Sequence, residues 1–69
     1  MTGEDMEFVD LRSLAIRYNS TKQDILDTAK RLIKRGYGID VLEWGGTRKI
    51  KVNQRQFRSA LLKEYRINL

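Results

Sequence analysis

The sequence has 69 residues, with 14 Lys and Arg against nine Asp and Glu, for a formal net charge of +5. It contains no Cys and no His, which excludes disulfides, thiolate metal sites and the side chain that serves most often as general base or metal ligand. A chain this short forms one domain with a small core, and it has no apolar run of the ~20 residues that span a membrane. We expect a cytoplasmic protein with no membrane partner.

The charge is distributed unevenly along the chain. Residues 1–10 carry four acids and no cation, a charge of −4, whereas residues 11–69 carry all 14 cations against five acids, a charge of +9. We interpret residues 1–7 as a flexible acidic tail and residues 8–69 as the folded domain. So basic a domain favours a polyanionic partner such as DNA, RNA or an anionic membrane surface. The alternative is charge that serves only solubility.

Apolar spacing predicts two helices in the first half of the chain. The first covers residues 8–19, is capped by Asp10, and has apolar residues at i, i+3, i+4 and i+7. A polar turn, "YNSTKQD", separates it from a second helix that ends before Gly36, with either Ser20 or Thr21 as its cap. The buried side of the second helix is predicted to be Ile25, Leu26, Ala29, Leu32 and Ile33. Two helices joined in this way outline a helix-turn-helix.

A hairpin and a third helix follow. The first strand runs from Ile39 to Trp44, Gly45 and Gly46 supply the tight reversal, and the second strand begins at Arg48. Alternation points four residues towards the helices, namely Ile39, Val41, Ile50 and Val52. The third helix is capped by Asn53, and its apolar face is Phe57, Ala60, Leu61 and Tyr65. The order helix–helix–strand–strand–helix predicts an α+β fold, a small winged helix-turn-helix.

No active site is visible in the sequence. The serines have no histidine to activate them, and the glycine pair lacks the spacing and the following Lys-Ser/Thr of a phosphate-binding loop. We therefore expect no enzyme, no cofactor and no metal site. A basic helix beside a basic hairpin tip is instead typical of DNA binding, because a helix fits the major groove and a hairpin can place cations on the adjacent minor groove or phosphates. The tip residues Thr47, Arg48 and Lys49 are the predicted contacts.

The stretch "GGTRKIKVNQRQFRSALL" resembles the excisionase-type winged-helix DNA-binding domains of phages and conjugative transposons, which are related to MerR-type regulators. In that family a Gly-containing wing tip leads into a basic strand, a polar helix start and an apolar anchor, here Phe57. The resemblance covers roughly residues 9–65, and "KRLIKRGYGID" adds about a turn to the usual second helix. It implies a recognition helix from Thr21 to Arg35. The implied DNA contacts are Thr21, Lys22, Gln23, Lys30, Arg31, Lys34, Gly46, Thr47, Arg48 and Lys49.

The resemblance also implies a role. Excisionases bind double-stranded DNA beside an attachment site, often side by side, and bend it so that a site-specific integrase excises a mobile element. A small transcriptional regulator on the same fold is an alternative, because function depends on where the DNA site lies. A third interpretation is a protein-interaction module that uses the Leu42–Trp44 edge or Tyr37 as its central contact.

Overall fold

The structure, a computed structural model, describes residues 7–44 and 49–66. Its elements are β1 (Phe8–Asp10), α1 (Leu11–Arg17), α2 (Lys22–Lys34), β2 (Val41–Trp44), β3 (Lys49–Asn53) and α3 (Gln54–Tyr65). The α+β class and the predicted helix–helix–strand–strand–helix order are confirmed, with one additional strand before the first helix. Within the described residues, no helix has the length and apolar content needed to cross a membrane.

The start of the predicted first helix is a strand. Phe8–Asp10 pairs antiparallel with β3, and α1 begins only at Leu11, where the Asp10 carboxylate accepts the Ser13 N–H at 2.7 Å. The cap was predicted correctly, but the helical assignment of the three residues before Leu11 is wrong because their hydrogen bonds go to a strand about 40 residues away. Glu7 pairs with Arg55 at 3.0 Å, and the other residues of the predicted acidic tail lie outside the described part.

The turn between α1 and α2 is built by short polar side chains and one left-handed residue. Asn19 has φ 53°, a conformation that Asn tolerates better than most residues. Thr21 is the N-cap of α2, and its hydroxyl accepts the Asp24 N–H at 3.1 Å. The second helix ends at Lys34, before Gly36 as predicted, and Gly36 has a φ of 104°, the left-handed conformation that glycine adopts without steric cost.

β3 is the central strand of a three-stranded antiparallel sheet with the order β1-β3-β2. Val52 is fully buried between Val9 on β1 and Val41 on β2. The prediction that Ile39, Ile50 and Val52 face the helices agrees with their packing in or against the core. Val41 lies directly opposite Val52 and so shares its face, as predicted, but it is 36% exposed because β2 is an edge strand.

The core lies between the sheet and the three helices. Its fully buried large side chains are Leu14, Leu32, Val52 and Phe57. Asn53 caps α3 as predicted, by accepting the Gln56 N–H at 2.9 Å. Two residues predicted on apolar faces are instead substantially exposed, Ile33 at 43% and Tyr65 at 45%.

Candidate nucleic-acid interface

An open groove with a volume of about 720 Å³ lies between the start of α2 and the β2–β3 hairpin. Its apolar lining consists of Leu11, Leu26, Trp44 and Ile50. Its polar lining consists of Arg12, Lys22, Lys49 and Lys51, with Asp10 and Gln23. Four cations therefore face one carboxylate around a partly apolar depression. This groove is the candidate interface.

Local structure explains why these side chains meet. The Thr21 cap places Lys22 and Gln23 in the first turn of α2. The sheet register sets Lys49 opposite Trp44, and it sets Lys51 between Asp10 on β1 and Leu42 on β2. Residues directly opposite in antiparallel strands lie on the same face. The two lysines of β3 therefore lie on one face of the sheet.

Three of the predicted contact residues are brought together in the groove: Lys22, Gln23 and Lys49. Thr21 lies next to them in the chain as the helix cap, with its hydroxyl engaged by a backbone N–H.

A second set of predicted contacts continues along α2 from the groove. Gln23, Lys30 and Lys34 are exposed, and their separations of seven and four residues place them on one face of the helix. Asp27 lies on the same face, where its carboxylate accepts a hydrogen bond from the Gln23 side-chain amide at 2.8 Å. The face thus offers two lysines and an amide beside one carboxylate.

Arg31, next to this face, is engaged by the last helix. Its guanidinium donates a hydrogen bond to the Tyr65 hydroxyl of α3 at 3.1 Å, and this bond raises the pKa of Arg31 above its usual value. In the next turn, Arg35 pairs with Glu64 of α3 at 2.7 Å. These two arginines of the predicted recognition helix contact the last helix, and neither lines the groove.

The predicted tip residues Gly46, Thr47 and Arg48 lie outside the described residues, so their role in DNA binding stays a prediction. Arg12 and Lys51 line the groove but were absent from the predicted contacts. The alternation of Lys49 and Lys51 along one strand was the signal for the second lysine. No local signal pointed to Arg12, because α1 reaches the hairpin only through the pairing of β1 with β3.

Titratable side chains elsewhere do not suggest a metal centre. Among residues 7–44 and 49–66, no three His, Cys, Asp or Glu side chains come together in a way that could hold a metal ion.

Comparison with protein-family models, curated proteins and solved structures gives no match.

Proposed function

We propose that this chain is a sequence-specific DNA-binding protein that uses a winged helix-turn-helix. In the proposal, α2 enters the major groove and the β2–β3 hairpin acts as the wing. The observation that carries it is the groove, which gathers Lys22 of the helix and Lys49 and Lys51 of the hairpin around one depression. Each strand of a duplex carries a phosphate charge every ~3.4 Å along the axis, so a cationic groove between a helix and a hairpin fits one strand of its backbone.

The arrangement separates two kinds of contact. Arg12, Lys22, Lys49 and Lys51 in the groove contact phosphates, which position the protein on the duplex without reading its sequence. Gln23, Lys30 and Lys34 on the outer face of α2 reach base edges. Gln pairs with the N6 and N7 atoms of adenine, and Lys donates to O6 and N7 of guanine, so this face suits a site of mixed composition.

The biological role that we propose is that of an excisionase, or recombination directionality factor. The protein would bind and bend DNA near the attachment site of a phage or mobile element, with a site-specific recombinase as partner and with further copies beside it on the DNA. The support is the resemblance in the hairpin and in the start of α3. A transcriptional regulator would use the same contacts, and an excision assay run beside a promoter–reporter assay separates the two.

A protein-interaction module remains the second candidate because β2 is an edge strand with large apolar residues exposed. Leu42 is 45% exposed and Trp44 is 46% exposed, and an unpaired strand edge can accept an extended peptide. A Trp44→Ala variant that folds, binds DNA as before and loses a protein partner would favour this function over the first.

The proposal is tested by the salt dependence of duplex binding. Fluorescence anisotropy of a labelled random duplex of about 25 base pairs should show log K falling with log salt at about 0.9 per phosphate contact. Replacing Lys49 and Lys51 by Ala should reduce the slope by up to about 2 units. The matched control replaces Lys63 and Arg66, two cations outside the groove.

Each result has a separate meaning. An unchanged slope in the Lys49/Lys51 variant would remove the hairpin from the interface. Equal losses in the test and control variants would indicate attraction by net charge alone. No binding even at low salt would overturn the proposed function.

A further inference from the structure

A second cationic surface lies where α1 ends and α3 begins. It surrounds an open depression of about 500 Å³, which is lined by Arg17, Gln54, Arg55, Arg58, Ser59 and Leu62. We call Arg17, Arg55, Arg58 and Leu62 the arginine patch. Its α3 members share one face, because positions 55, 58 and 62 are separated by three and four residues.

The cations of the patch are only partly neutralised. Glu7 pairs with Arg55 at 3.0 Å. Arg17 donates to the neutral side-chain carbonyl of Gln54, in the first turn of α3, at 2.8 Å. Arg58 has no acidic partner among the described residues. Two guanidinium groups thus remain available for anions, and each presents the planar fork that matches a carboxylate.

The patch and the groove lie on different sides of α1. Arg12 lines the groove and Arg17 lines the patch. Five residues separate them, which corresponds to about 140° around a helix. The groove and the patch are therefore separate surfaces.

A guanidinium of the patch already binds a carboxylate, because Glu7 lies on Arg55 at 3.0 Å. The apolar member of the patch favours a protein over a nucleic acid. Leu62 lies among the arginines and is 52% exposed. An aliphatic side chain of a protein partner would bury it, whereas the sugar-phosphate backbone of a nucleic acid offers no such apolar group. Interfaces combine charge complementarity with such a central apolar contact.

We propose that the arginine patch is a docking surface for an acidic segment of a protein partner. The segment presents two carboxylates, which bind Arg17 and Arg58, and an aliphatic side chain, which packs on Leu62. Arg58 and Leu62 lie four residues apart on α3, so a carboxylate and an aliphatic side chain at helical spacing match them, and one side of an acidic amphipathic helix fits. Peptide binding at the arginine patch does not depend on DNA binding at the groove.

The test uses a fluorescein-labelled synthetic peptide of about 20 residues, longer than the ~12–15 residues below which isolated helices are marginal in water, with Glu and Leu recurring at helical spacing. Its control peptide carries Gln in place of Glu. Anisotropy should show binding of the acidic peptide alone. Arg58→Glu should weaken it about tenfold or more, because the variant places like charges together. Arg58→Lys keeps the positive charge but loses the planar guanidinium, so its affinity for the acidic peptide should lie between those of wild type and Arg58→Glu.

Lys63→Glu is the matched control variant. It changes the net charge equally, and its position lies about 140° around α3 from Arg58, so its peptide affinity should stay within about twofold of wild type. Circular dichroism checks that both variants fold.

Three outcomes overturn the inference: no binding of the acidic peptide, equal loss in Lys63→Glu and Arg58→Glu, or a loss of duplex affinity confined to Arg58→Glu. The last would make the patch a DNA-contact surface. Because peptide and duplex are measured separately, failure at the patch is distinct from failure at the groove.

Discussion

At the scale of single residues, Asp10 links the acid stability of the protein to one helix cap. Its carboxylate accepts the Ser13 N–H at 2.7 Å, and this bond lowers the pKa of Asp10 below the ordinary 3.8. A carboxyl with a lowered pKa stabilises the fold above its unfolded-state pKa, and that stabilisation is lost as pH falls through the folded-state pKa. Wild type should therefore lose stability relative to Asp10→Asn below about pH 4, because Asn caps without titrating. Thermal unfolding of both proteins from neutral to acid pH measures this, and parallel profiles would contradict it.

Residue-scale prediction from the sequence succeeded where the cause is local. The caps Asp10 and Asn53 were identified because each bonds to a backbone N–H only three residues away. For α2 two caps were possible, and the structure uses Thr21. Ile33 and Tyr65 were misjudged because their exposure depends on where neighbouring elements end. Helical spacing specifies a face but not how far the neighbours extend along it.

At the scale of elements, Glu64 holds the ends of α2 and α3 together. It pairs with Arg35 at 2.7 Å and accepts a hydrogen bond from the Tyr37 hydroxyl at 3.0 Å. Both contacts come from the segment at the end of α2, and the Glu64 side chain is 17% exposed. These two contacts of Glu64 keep the C-terminal half of α3 against the helix that we propose to enter the major groove.

The contact between Tyr37 and Glu64 can be followed by the titration of the tyrosine. The hydrogen bond to Glu64 raises the pKa of Tyr37 above the ordinary 10.0, because a tyrosinate would face the carboxylate. Glu64→Gln should lower that pKa, which ultraviolet titration of the three tyrosines can follow. Because the pKa of Tyr37 is raised in the folded protein, its hydrogen bond stabilises the fold fully at pH values below the unfolded-state pKa. This stabilisation is lost as the pH rises through the folded-state pKa of Tyr37. An unchanged titration in Glu64→Gln would contradict the contact.

Helices and strands could be predicted from the sequence when their hydrogen bonds join residues that are close along the chain. The three helices and the hairpin follow from spacing and caps, whereas β1 does not, because its pairing partner is β3. The candidate site shows the same division. Lys49 was predicted from the basic hairpin tip and Lys22 was implied by the family resemblance, but Arg12 required the β1–β3 pairing that places α1 beside the hairpin. Arg31 was predicted as a DNA contact, yet its bond to Tyr65 involves a helix more than 30 residues away.

At the scale of the whole molecule, the two cationic surfaces belong to a small protein with a small core. The fully buried large side chains are Phe57, Leu14, Leu32 and Val52. Domains of this size are marginally stable. Ligand binding should therefore contribute visibly to stability, since a ligand that binds only the folded state stabilises it by mass action.

We therefore expect duplex DNA to raise the melting temperature. At a free concentration of about 100 times Kd, the ligand stabilises the fold by about 2.7 kcal/mol, and a domain of this size gains roughly 4–8 °C per kcal/mol. The shift is then roughly 10–20 °C, measurable by differential scanning calorimetry at low salt. Replacement of Lys49 and Lys51 by Ala should reduce the shift at the same DNA concentration, because fewer phosphates are contacted. A shift that is absent in wild type, or equal in both proteins, would mean that the groove does not bind DNA.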